Sequence, residues 1–154
     1  GDPYKTTFSA AITASGLKKP SQGGGPAYYF HIDAQGNLLS AGGEYRPPSE
    51  RLRAIRAHVV ADARSFGKLL KDKGLQENFG GLQQTDMLLR LPRGFDVDAP
   101  HGEQLKLKSF IAWRERSVKT MMPAELPARL LEDFKAAAPL VKWLRAAGLS
   151  AESV

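Results

Sequence analysis

The chain contains no cysteine. Disulfide staples, thiolate nucleophiles and cysteine-ligated zinc are therefore excluded, and the absence suits a reducing compartment. Histidine is nearly as scarce, with three copies, so imidazole chemistry must fall on His31, His58 or His101. Apolar runs extend only a few residues, far short of the roughly 20 that a spanning helix needs. No charged start followed by an apolar stretch reads as a secretory leader. The expectation is a cytoplasmic domain without membrane association. Gly23-Gly24-Gly25 is followed by neither Gly-Lys-Ser/Thr nor a helix start, so it is not a phosphate loop. There is no Gly-x-Ser-x-Gly elbow of a serine hydrolase.

What is present describes one α+β domain spanning residues 1–154. That length suits a single core, and 42% hydrophobic with 25% charged residues is ordinary globular composition. The formal charge is +6, and most of it is local. Arg46, Arg51, Arg53, Arg56, Arg64, Lys68, Lys71 and Lys73 face only Glu50, Asp62 and Asp72 within one segment. Such a segment attracts nucleic acid or acidic protein, or is simply the solvated face of a helix. Aromatics are not interleaved with it, so a stacking platform for nucleic acid is missing.

Hydrophobic periodicity predicts about five strands, at residues 6–13, 28–33, 37–42, 84–91 and 109–116. It predicts helices at 49–73, 98–107 and 124–147. Phe8, Ala10 and Ile12 alternate with Thr7, Ser9, Ala11 and Thr13, and Met87, Leu89 and Leu91 share one face of their segment. Residues 16–26 hold three glycines in a row and two prolines and read as a loop. Asp33-Ala34-Gln35-Gly36 is a turn signal between two strands. Leu52, Ile55, Val59, Ala63, Phe66 and Leu70 form an amphipathic stripe, with Ser49 as its N-cap, Asp62 as a candidate break and Gly74 as its C′ residue. Asp98 is expected to cap the short helix. In the last helix Leu130, Leu131, Phe134, Ala138, Val141 and Leu144 are expected inward, with a kink or restart at Pro139. A meander followed by helices, without βαβ alternation, points to an antiparallel sheet covered by helices.

Several landmarks carry a resemblance. They are Pro3-Tyr4-Lys5-Thr6, Tyr28-Tyr29-Phe30-His31-Ile32, Gly42-Gly43-Glu44-Tyr45-Arg46-Pro47, Leu91-Pro92-Arg93-Gly94-Phe95-Asp96 and Leu105-Lys106-Leu107-Lys108-Ser109-Phe110. In this order the chain resembles, from Pro3 to about Leu144, an uncharacterised conserved domain family of bacteria and fungi. The resemblance implies no activity, and it brings no catalytic residues. It also implies that longer members carry an additional helical segment before Pro3, so that this chain corresponds to their C-terminal two-thirds.

The densest polar chemistry lies on the hairpin. Tyr29, His31 and Asp33 share one strand face by alternation, opposite Tyr28, Phe30 and Ile32. His31 is a candidate general acid or base, or it is a structural histidine bonded across the sheet. Lys5, Arg46, Lys106 and Lys108 stand at element ends. With Tyr29 and His31 they form a candidate site for a small anionic or polar ligand, with the Gly42-Gly43 backbone supplying donors. Cations at strand ends otherwise stay solvated. Asp96, Asp98 and His101 have a spacing found in metal loops, but turn and capping roles account for the two aspartates, so no metal and no cofactor is expected. The preferred reading is therefore binding of a small anion around Tyr29 and His31. The alternatives are an enzyme using His31 and an interaction module built on residues 46–73.

Overall fold

In the computed structural model the described residues are 25–148 and, for their backbone, 8–13. Four strands, β1 (Phe8–Thr13), β2 (Ala27–Ile32), β3 (Asn37–Glu44) and β4 (Phe110–Ser117), form one antiparallel sheet in the order β1-β2-β3-β4. Five helices accompany them among the described residues: α1 (Ser49–Ala61), α2 (Ala63–Leu70), α3 (Lys73–Phe79), α4 (Gly102–Leu105) and α5 (Glu125–Ala146). The class is α+β with an open antiparallel sheet, as expected, but with fewer strands than the five anticipated.

The difference lies at residues 84–91. This segment makes an isolated antiparallel bridge, Met87 to Leu107, and joins no sheet. Its alternation is half genuine. Met87 and Leu91 pack on the core, while Leu89 is 97% exposed. The Gln83 backbone N–H reaches the Ile111 carbonyl, and positive φ at Gly80 and Gly81 turns the chain before that point.

The basic stretch expected as helix over 49–73 is two helices, α1 and α2, broken at Asp62, and a third, α3, begins at Lys73. Asp62 ends α1 and caps α2, accepting from the Ser65 backbone N–H at 3.3 Å. Asp72 caps α3 through the Leu75 N–H at 2.9 Å. Gly74 therefore lies inside a helix and not beyond one, because the Asp72 side chain restarts the helix where a terminating glycine was expected. Pro48 rather than Ser49 precedes α1. The short helix α4 begins after His101, which sits at φ 58°, so Asp98 is not its cap. The α5 helix runs unbroken through Pro139.

Register fixes which side chains reach the helices. Asp33 accepts hydrogen bonds from the backbone N–H groups of Gln35 (3.0 Å) and Asn37 (2.9 Å) and from the Asn37 amide (3.0 Å). These bonds set the β2–β3 turn and pair Tyr28 with Gly42 and Phe30 with Ser40. That face meets α5. A Cβ on Gly42 would lie 2.5 Å from the Ala137 Cβ, and Tyr28 stacks at a tilt on Phe134, 5.3 Å between centroids. Ile55, Val59, Phe66, Leu75, Leu105, Phe110, Leu140 and Leu144 are fully buried and form the shared core. Leu131 points away from it, being 54% exposed, and its place on the inward stripe is taken by Asp133, which has no exposure. Asp133 accepts from Ser40 Oγ at 2.5 Å, Asn78 Nδ2 at 2.9 Å and Arg116 at 2.7 Å. A carboxylate is tolerated there because three donors from β3, α3 and β4 replace its hydration.

The strand does not stop at Gly42-Gly43. Both glycines continue the ladder, opposite Ala112 and Ile111. At Gly43, with φ 136°, any Cβ would fall 2.2 Å from the Phe110 carbonyl oxygen. These glycines allow close packing and are not free backbone donors for a ligand.

Candidate functional site

The chain leaving β3 changes direction sharply. Glu44 is buried and pairs with Arg51 of α1, whose Nη2 lies 2.6 Å from Oε1 and whose Nε lies 3.0 Å from both carboxylate oxygens. The same guanidinium donates to the carbonyls of Leu144 and Ala147 at the end of α5. One arginine thus ties the start of α1 to the last turn of α5, where carbonyls lack helical partners. Between Glu44 and α1, Arg46 adopts φ 45°, a conformation uncommon for a residue with a side chain. Its backbone N–H donates to Ser109 Oγ at 2.8 Å.

This bend opens a cleft of about 580 Å³ between α1, residues 86–95 and Lys108. Its charge is one-sided. Arg46, Arg53, Arg56, Arg93 and Lys108 line it, against Asp86 as the sole carboxylate of the lining. Leu52, Leu88, Pro92 and Phe95 supply an apolar wall. The helix explains half of the set, since Ser49, Leu52, Arg53 and Arg56 recur at i, i+3, i+4 and i+7 and share one face of α1. The other half comes from a strap. The Leu88 N–H bonds to the Lys106 carbonyl, and the Lys108 N–H bonds to the Asp86 carbonyl. These pairings hold Asp86 and Lys108 side by side.

Arg56 differs from the other cations. It is 8% exposed, one terminal nitrogen donates to the Leu107 carbonyl at 2.9 Å, and its buried Nε has no partner. Burial lowers its pKa from the ordinary guanidinium value, the direction expected when a cation loses water without gaining a counter-charge. Arg46 and Lys108 approach Asp86 only loosely, at 3.5 and 3.6 Å. A second, smaller recess of about 260 Å³ shares Arg46 and Asp86 and is lined further by Tyr45, Gln83, Thr85, Ser109 and Trp113.

Of the residues expected from the sequence, Arg46 and Lys108 come together here. Lys106 turns aside and pairs with Glu103 at 2.9 Å. Lys5 lies outside the described residues. Tyr29 and His31 line neither cleft. They alternate with Tyr28 and so occupy the sheet face opposite α5. Burial raises the Tyr29 phenol pKa, the Glu44 charge raises it further, and a hydrogen bond with the Tyr45 backbone opposes both. Both Asp33 oxygens accept hydrogen bonds within the turn. His58 is half-buried against Trp143, 4.7 Å between ring centroids. His101 Nε2 lies 2.8 Å from the Ala63 carbonyl. Among the described residues no cluster of three or more His, Asp or Glu converges as a metal site, and no helix is long and apolar enough to cross a membrane.

The ligand-site residues expected from the sequence do not include Arg53, Arg56, Arg93 or Asp86, which line this cleft. The first two were visible in the basic segment, and their signal was the shared face with Ser49 and Leu52. Arg93 stands only within a landmark of the resemblance, and Asp86 lies in residues 84–91, which read as a strand and fold as a strap.

No curated protein and no solved structure matches the chain. A family described as conserved hypothetical protein (DUF2461) matches residues 1–143, nearly the whole chain and every segment that builds the cleft, and the protein belongs to that family.

Proposed function

We propose that the protein binds a small anionic ligand in the cleft beside α1, with Arg53, Arg56, Arg93 and Lys108 as its principal contacts and Arg46 at the rim. Arg56 is the observation that carries this reading. Holding a guanidinium out of water costs several kcal/mol unless a counter-charge is supplied, and one backbone carbonyl is a meagre return. A bound phosphate or carboxylate would supply the missing charge and match the planar donor fork. Of the residues first expected to hold an anion, Arg46 and Lys108 keep that role. Tyr29 and His31 are assigned none in this cleft, and with no observation favouring His31 as an acid–base group no reaction is proposed.

The basic segment supports a nucleic-acid surface less well. Arg51 is engaged by Glu44 and Arg56 is buried, so the two arginines nearest the core are withdrawn from any flat polyanion.

Titration calorimetry with inorganic phosphate and pyrophosphate at low salt tests the proposal. Binding should weaken as salt is raised. Arg56→Gln should lower affinity about tenfold or more, since a charge-assisted hydrogen bond is worth roughly 1.5–3 kcal/mol. No saturable binding by either anion, or equal binding by Arg56→Gln, refutes it.

A further inference from the structure

The cleft holds one carboxylate where anion binding alone calls for none. Asp86 is 38% exposed at its side chain, and its position is set by the backbone pairing of residues 86–88 with 106–108. Its oxygens lie 3.5 Å from Arg46 and 3.6 Å from Lys108, both longer than a good charge-assisted hydrogen bond. No other side chain donates to it among the described residues. A carboxylate so placed repels a bare anion and can only accept hydrogen bonds.

We infer that Asp86 makes the cleft selective for an anion that brings its own hydroxyl donor, such as hydrogen phosphate or a hydroxylated phosphate ester. This rests on the cleft being an anion site. The cations hold the charged oxygens, and the Asp86 carboxylate accepts the ligand's O–H. An anion without a donor, such as sulfate, leaves Asp86 facing a like charge, and that mismatch is the source of discrimination. The cleft, at about 580 Å³, has room for a hydroxylated carbon skeleton beside the anion.

Two ligand pairs, titrated by calorimetry near neutral pH, read this out. Hydrogen phosphate against sulfate asks whether the donor sits on the anion. Ribose 5-phosphate against methyl phosphate asks whether it sits on an adjacent hydroxyl. The wild type should favour the donor-bearing member of at least one pair by about tenfold or more, the usual return of a hydrogen bond to a charged group. Asp86→Asn, which removes the negative charge but keeps the size, should bring that ratio close to one, chiefly by improving binding of the donor-free anion. Asp86→Ala should do the same, and thermal melts of both variants confirm the fold. Equal affinity within both pairs in the wild type, or a preference that survives both substitutions, overturns the inference even when phosphate binds. Absence of binding by all four ligands overturns the anion site and this inference with it.

Discussion

Replacing Asp133 by alanine should come close to unfolding the domain. The carboxylate has no exposure and is met by Arg116 at 2.7 Å, with that side chain 14% exposed. Burial lowers the Arg116 pKa and the Asp133 charge opposes that shift, with a smaller contribution from Glu132, so Asp133 is the guanidinium's main counter-charge. Removing one partner of a buried pair costs about 3–5 kcal/mol. Ser40 and Asn78 lose an acceptor as well, at about 1 kcal/mol each, although members of one network do not add fully. A total near 4 kcal/mol is a large share of a typical 5–15 kcal/mol. At a urea m-value of about 2 kcal/mol/M it shifts the midpoint by roughly 2 M. Equilibrium urea unfolding followed by circular dichroism measures it. The double variant Asp133→Leu with Arg116→Met removes both charges and should recover most of the loss, because apolar replacements of a buried pair are often neutral. A midpoint change under about 0.5 M for Asp133→Ala, or a double variant no more stable than the single one, would refute the reasoning.

Two further predictions concern the sheet. Gly42→Ala places a methyl 2.5 Å from the Ala137 Cβ and should cost about 1–3 kcal/mol by overpacking. Ala137→Gly in the same chain should return part of that loss in a thermal melt, and a strictly additive double variant would show that the contact is not the cause. At the hairpin, backbone and side-chain hydrogen bonds from Asn37 hold the Asp33 carboxyl below its ordinary pKa. Its contribution is therefore present above the unfolded value of about 3.9 and lost as pH falls through the lower folded value. The melting temperature of Asn37→Ala should thus change less between pH 6 and pH 3 than that of the wild type, and parallel curves would contradict the assignment.

Much of this architecture is written in local pattern. The β2–β3 hairpin, β4 and the span of α5 follow from alternation, a four-residue turn and helical periodicity, each decided within a few residues. Asp62 was legible as a break because its side chain caps the next helix locally. What local pattern misreads is long-range pairing. Residues 84–91 alternate like a strand, yet the edge they would join is engaged by Gln83 alone, and the chain folds back onto residues 106–108. Asp133 falls in phase with Ala137, Leu140 and Leu144 on α5, so periodicity places it inward. Only the donors on three other elements explain why it can stay there.

The same distinction separates the two candidate sites. Tyr29 and His31 were conspicuous because they are neighbours in sequence, but they line neither of the two recesses around Arg46 and Asp86. The cleft gathers side chains from β3's exit, α1, the 86–95 strap and the approach to β4, and each contributor is held by a backbone or buried polar bond. Glu44 and Arg51 lock α1 to the end of α5, Ser109 holds the Arg46 backbone, and the strap pairs with Lys106 and Lys108. Arg56, held by its bond to the Leu107 carbonyl, loses little conformational freedom when a ligand arrives, which is where pre-organised sites gain affinity. The exposed Lys68 of α2 and Lys73 of α3, the latter only 4.0 Å from Glu77 on its own helix, have no comparable frame. For this reason the cleft, and not the density of basic residues along the sequence, is the better guide to where an anion would bind.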